Sequence, residues 1–147
     1  MPRKGTSMKL NRQIVGNTGL YLTCYYLSLL GWNAMPTARN ARGIDIVAYS
    51  LDGKRYIGIQ VKSLSDNTNV PLGKSVDNII GDFLVIITQV TSSKPTAFIL
   101  TPEEIKKIIK SFKNKKGNVS HWLQPEEYNK EEFRNAWKKI GRGDSTA

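Results

Sequence analysis

Cysteine is nearly missing from this chain of 147 residues, and the one present, Cys24, excludes both an internal disulfide and a thiolate zinc cage. It falls on the apolar side of a predicted helix and reads as a buried, inert thiol. Histidine is equally scarce. His121 alone cannot build a zinc site or a two-histidine relay, and beside Trp122 it reads as a packing or hydrogen-bonding residue. No apolar run is long enough to span a bilayer, and no apolar stretch with a small-residue cleavage site follows the basic N-terminus. A soluble protein of the reducing cytoplasm is expected. The most telling shortage is of acid. No Asp or Glu precedes Asp45, whereas Arg3, Lys4, Lys9, Arg12, Arg39 and Arg42 stand in that stretch with nothing to neutralise them. The whole chain carries a net charge of +10. Such a field attracts polyanions, either nucleic acid or an anionic membrane face. No segment pairs a basic face with exposed Trp, Phe and Leu, which disfavours the membrane.

What is present suffices for one domain over residues 1–147, with a loose basic arm over 1–9 and a loose tail over 141–147. Ile14, Leu22, Tyr25, Tyr26, Leu29 and Leu30 recur at helical spacing from about Asn11 to Leu30, and Gly31 is a natural stop. Gly16 and Gly19 weaken that helix by roughly 1 kcal/mol each relative to Ala, so their presence suggests that another backbone or a ligand approaches closely. A short strand is expected over Trp32 to Thr37. The polar stretch from Ser63 to Asp77 is long for a connection and implies a functional loop or a short hidden element. Phe83 to Ile87 and Thr96 to Leu100 have the length and composition of buried strands. Thr101-Pro102-Glu103-Glu104 opens a helix with a capping box, its apolar stripe being Ile105, Ile108, Ile109 and Phe112. The lysines from Lys106 to Lys116 then form its wet side, with DNA contact as the alternative reading of the run. Asn129 with Glu132 repeats the capping pattern for a last helix facing inward through Phe133, Ala136, Trp137 and Ile140. Helices covering a central mixed sheet of about five strands is the α/β fold this order predicts.

The sharpest local signal is Asp52-Gly53 between two alternating runs, Gly43 to Tyr49 and Tyr56 to Lys62. With Asp52 and Gly53 as the centre of a type I′ turn, Tyr49 faces Tyr56, Ala48 faces Ile57, Val47 faces Gly58 and Ile46 faces Ile59. Asp45 then faces Gln60, and Lys62 projects diagonally from the same side. A carboxylate, an amide oxygen and an ammonium at one end of a ribbon can hold a hard cation and a phosphate. Arg39 and Arg42, in the loop leading into Asp45, are candidate phosphate contacts, and Lys74 in the polar loop is a weaker one.

The run Gly16-Asn17-Thr18-Gly19, then Leu29-Leu30-Gly31-Trp32, Gly43-Ile44-Asp45 and Ile59-Gln60-Val61-Lys62 resembles the PD-(D/E)XK nuclease superfamily, in the variant with Gln before the catalytic Lys. Phe98-Ile99-Leu100, His121-Trp122-Leu123 and Ala136-Trp137 resemble the same branch. The resemblance implies a restriction-endonuclease-like fold and cleavage of DNA with Mg²⁺ or Mn²⁺. It implies Asp45, Gln60 and the Val61 carbonyl as metal ligands, and Lys62 on the attacking water or the phosphorane charge. A homodimer on double-stranded DNA is the implied partner arrangement. One position departs from the pattern: where many members carry Glu on the first helix, this chain has Leu20, and that helix has no carboxylate. Gln13 or Asn17 could offer a neutral oxygen nearby. A slow nuclease, one that borrows a ligand, and a binding-only relative all fit this departure.

Overall fold

The computed structural model describes residues 10–38 and 43–145; the expected N-terminal arm, Arg39 and Arg42 lie outside the described residues. Helix α1 (Arg12–Leu29) begins at Asn11, whose Oδ1 accepts the Ile14 N–H at 2.9 Å, and ends in Gly31 at φ +86°. The strands are β1 (Asn33–Pro36), β2 (Ile46–Tyr49), β3 (Tyr56–Ser63), β4 (Val70–Gly73), β5 (Phe83–Thr88) and β6 (Thr96–Leu100). Then come α2 (Pro102–Ile108), β7 (Lys110–Lys113), β8 (Val119–Leu123) and the single turn α3 (Pro125–Tyr128). Five strands form a mixed sheet in the order β1-β2-β3-β5-β6, parallel only between β3 and β5, as the sequence predicts. No helix among the described residues is long and apolar enough to cross a membrane.

Alternation along the strands sorts the core into two layers. Ile46, Ala48, Ile59, Val85, Ile87 and Ile99 face α1, where Val15 and Leu27 meet them. Leu84, Ile86, Phe98 and Leu100 point to the opposite face. That face is covered less by helices than expected. A second, three-stranded sheet, β4-β8-β7, lays Val70, Leu72 and Leu123 on it, joined by Ile105 of α2 and Tyr128 of α3. Strand β4 is the hidden element in the polar stretch.

Three sequence expectations are corrected. The capping box of α2 forms, with the Thr101 and Glu104 side chains reciprocally bonded to backbone at 3.2 and 3.0 Å. The helix stops at Ile108, however, and Ile109 turns extended at ψ 137°. Lys110–Lys113 is therefore a strand, and Phe112 is 48% exposed instead of buried in a stripe. The last helix is reduced to a single 3-10 turn, Trp137–Lys139. Phe133 to Asn135 runs along the open edge of β6, with Ile99 N–H donating to the Phe133 carbonyl at 2.9 Å and Asn135 N–H to Ala97 at 2.7 Å. Because the segment rounds that edge, Phe133 joins one core layer while Ala136, Trp137 and Ile140 join the other. Residues 141–145 are not loose: Trp32 Nε1 donates to the Gly141 carbonyl at 3.0 Å, and Gly143 N–H to Leu30 at 2.9 Å.

Candidate active site

The hairpin that carries the candidate residues has the register counted from the sequence: Ile46 with Ile59, Val47 with Gly58, Ala48 with Ile57 and Tyr49 with Tyr56. Its turn differs in kind. Asp52 lacks the positive φ a type I′ turn needs, and only Gly53 has it, at +72°. The Asp52 carboxylate accepts from Ser50 Oγ and from the Lys54 N–H at 3.0 Å, holding a four-residue loop between Ser50 and Arg55. The register survives because Ser50 and Arg55 still pair, Ser50 N–H donating to Arg55 at 2.9 Å.

At the other end of the ribbon, β2 peels away from β3 at Asp45. The Asp45 N–H reaches the Ile59 carbonyl at 2.9 Å, the carbonyl opposite Ile46. Two residues of one strand thus oppose one of the other, the signature of a β-bulge, and the pairing of Asp45 with Gln60 counted from the sequence does not form. Beyond the bulge Val61 has no β2 partner for its N–H, and the Asp45 Oδ2 accepts it at 2.7 Å. Amide and carbonyl of one residue point to the same side of a strand, so the Val61 carbonyl opens toward Asp45 as well. No described main-chain donor bonds it. Asp45 Oδ1 likewise has no bond to a described residue, so a carboxylate oxygen and a main-chain carbonyl are both left without a described partner at the frayed edge of β3.

Gln60 and Lys62 pair in register with Leu84 and Ile86 of β5, so both side chains stand on the face opposite α1. Asp45, Gln60, Val61 and Lys62 are all half-buried. None of the three polar side chains bonds another, and Lys62 enters no ion pair among the described residues. An ammonium without a carboxylate partner is available to a phosphate.

Gly19 shows why α1 lies where it does. A Cβ there would come within 2.8 Å of the Ser63 Cβ and 1.8 Å of its Oγ, so the helix meets the end of β3 one residue past Lys62. Ser63 Oγ also donates to the Gly16 carbonyl at 3.4 Å. The close approach expected of the two glycines is therefore made at Gly19, whereas a methyl group at Gly16 would meet nothing within 4 Å. Leu20 is packed against the core that α1 shares with the sheet, and Asn17 is half-buried. Lys74 is exposed just beyond β4.

Among the described residues no three His, Cys, Asp or Glu side chains gather to hold a metal. Asp45 offers one charge, with neutral oxygens from Val61 and Gln60. That donor set fits Mg²⁺, which keeps several waters and commonly takes one or two carboxylates plus substrate phosphate. A cavity of about 450 Å³ opens elsewhere, at the turn end of β3, lined by Trp32, Arg55, Tyr56, Asp82 and Glu103 among others. Its two carboxylates make it a poor seat for a phosphate. His121 is a hydrogen-bonding residue as expected, its Nδ1 2.7 Å from Ser111 Oγ. Burial pushes the Cys24 thiol up, away from the reactive thiolate.

No protein-family model matches this chain, and no curated protein matches it in sequence. Among solved structures it is similar to the bacterial homing endonuclease I-Ssp6803I, with a TM-score of 0.59 and 13% sequence identity over 89% of this chain and 93% of that one. At such identity the likeness is one of fold.

Proposed function

We propose that this chain is a divalent-cation-dependent endonuclease of the PD-(D/E)XK type acting on double-stranded DNA as a homodimer. The observation that carries the reading is the bulge at Asp45, whose carboxylate accepts the Val61 N–H at 2.7 Å in the strand that also carries Gln60 and a Lys62 with no ion pair among the described residues. Fold similarity to a homing endonuclease and the acid-free, basic N-terminal stretch support it. Asp45 Oδ1, the Val61 carbonyl and the Gln60 amide oxygen would hold Mg²⁺ or Mn²⁺. When bound, that ion supplies Lewis-acid polarisation of the scissile phosphate and a more acidic water. Asp45 is oriented by the Val61 N–H, which occupies one of its oxygens and aims the other. The Lys62 ammonium would stabilise the negative charge that grows on the phosphorane, a role worth about 10²–10³ in rate for a single well-placed donor. Arg39, Arg42 and Lys74 are proposed phosphate contacts.

Supercoiled plasmid tests this reading: wild-type protein nicks it with Mg²⁺ or Mn²⁺ but not with chelator, and Lys62→Ala reduces nicking by about the same 10²–10³. Absence of metal-dependent nicking sinks it. A second reading, a DNA-binding module on a nuclease fold, is favoured by one observation, Leu20 in place of a helix carboxylate, packed into the core. Nicking that first appears in Leu20→Glu selects this second reading.

A further inference from the structure

The lysines between α2 and β8 do not form the wet side of a helix. From Ile105 to Pro125 the chain has six lysines and no acidic residue. The structure folds the middle of this stretch into the hairpin β7–β8, in which Lys110 pairs with Trp122, Ser111 with His121, Phe112 with Ser120 and Lys113 with Val119. Every residue from 110 to 119 is exposed, so the ribbon stands out from the body.

Its tip is built to keep its shape. Asn114 Oδ1 accepts the N–H groups of Lys116 and Asn118, both at 2.9 Å. The Asn114 carbonyl takes Gly117 N–H at 3.0 Å, with Gly117 at φ +85°. Lys115 and Lys116 are thereby carried on a fixed loop, with Lys113 just below. Among the described residues none of these three enters an ion pair, whereas Lys110 at the base lies 3.9 Å from Glu127. Leu123 is buried, and alternation along β8 therefore points Trp122 and Ser120, together with Phe112 of β7, away from the core. Phe112 is left 48% exposed.

The ribbon also projects from the relevant side. The layer β4-β8-β7 packs on Leu84 and Ile86, the partners of Gln60 and Lys62, so arm and candidate site share one face of the main sheet. A two-stranded ribbon fits the major groove of B-DNA, and lysines flanking it can reach phosphates on both sides.

From this we infer that the β7–β8 hairpin is a DNA-contact arm, with Lys113, Lys115 and Lys116 on the phosphate backbone and the outward face at the groove. The inference rests on duplex DNA being the substrate. Each phosphate contact adds about 0.9 to the slope of log affinity against log salt. Fluorescence anisotropy with a labelled duplex, read over a salt series, tests it on the whole chain. The triple variant Lys113→Ala/Lys115→Ala/Lys116→Ala should flatten the slope by up to about 2.7 and weaken binding at low salt. A control with equal charge loss, Lys54→Ala/Lys94→Ala/Lys138→Ala, should change the slope by less than about one contact. Equal flattening by both variants, or by neither, overturns the arm. Plasmid nicking by the wild type in the same buffers keeps the two ideas apart: metal-dependent nicking with an unchanged slope removes the arm and leaves the nuclease. No duplex binding by the wild type at low salt removes the arm together with the reading beneath it.

Discussion

Asp45 is proposed to do two jobs with its two oxygens, and substitutions at that one position separate them. Oδ2 accepts the Val61 N–H at 2.7 Å where β3 has lost its partner strand. Asp45→Ala removes a charged acceptor from a half-buried amide; such bonds contribute about 1.5–3 kcal/mol, and partial access of water to the amide trims the loss to about 1–2 kcal/mol. For a chain of this size that is a fall in Tm of roughly 2–8 °C, at about 2–4 °C per kcal/mol. Asp45→Asn keeps an oxygen facing Val61 and should cost less than about 1 kcal/mol. The charge for the metal is lost in both. Mg²⁺ at ten times its Kd stabilises the folded wild type by about 1.4 kcal/mol through mass action, and neither variant should gain this. Thermal denaturation of the three proteins, followed by circular dichroism with and without Mg²⁺, reads both effects. If Asn and Ala cost the same, the Val61 bond does not depend on an acceptor here. Equal Mg²⁺ protection of Asp45→Asn and wild type would show that the carboxylate does not hold the ion.

Three further outcomes follow from the packing. Gly19→Ala drives a Cβ to 2.8 Å from the Ser63 Cβ, and overpacking of about 1–3 kcal/mol outweighs a helix-propensity gain of roughly 1 kcal/mol. Gly16→Ala meets nothing within 4 Å and should stabilise by up to about 1 kcal/mol, so urea titrations of the two variants should shift in opposite directions. Tyr128→Phe strips the hydroxyl that donates to the Thr68 carbonyl at 2.6 Å, with Asn67 Oδ1 3.1 Å from the same oxygen, a loss of about 1–3 kcal/mol in the same titration. Burial pushes the Tyr128 phenol up to about 12, so its contribution is whole below the ordinary phenol value near 10 and fades as pH climbs through 12. Burial alone would raise the Glu104 carboxyl, but Lys139 at 2.9 Å and the Thr101 N–H outweigh it and hold the group low. Its stabilisation is therefore present above the ordinary glutamate range and lost as pH falls through the depressed value, and Glu104→Gln should flatten the acid limb of the stability–pH curve.

The part of the fold legible in the sequence is the part ruled by local pattern. Alternating residues either side of Asp52-Gly53 set the β2–β3 register, and the apolar runs at Phe83 and Thr96 lay out the two strands beside it. The turn type was hidden because the turn closes one residue earlier than counted, with Gly53 N–H on the Ser50 carbonyl and the Asp52 side chain bracing it. Ile105, Ile108, Ile109 and Phe112 do sit at helical spacing. Only tertiary pairing with β8 pulls Lys110–Lys113 out of the helix, and spacing cannot report a partner strand. The same holds for Phe133 to Asn135, whose backbone is claimed by the edge of β6. The placement of Asp45, Gln60 and Lys62 at the end of the ribbon away from the turn was readable, but the facing of Asp45 and Gln60 was not, since Asp45 bonds the Ile59 carbonyl instead. The bulge was not readable, since no glycine or proline marks it; nor was the bond from Val61 that it creates.

The direct measurement for the central claim is the single-turnover rate of duplex cleavage as Mg²⁺ is titrated, for wild type, Asp45→Asn and Lys62→Ala. A saturable Mg²⁺-dependent rate, lost in Asp45→Asn at every concentration and cut by about 10²–10³ at saturation in Lys62→Ala, is the predicted result. Cleavage that ignores Mg²⁺, or persists undiminished in both variants, would contradict it.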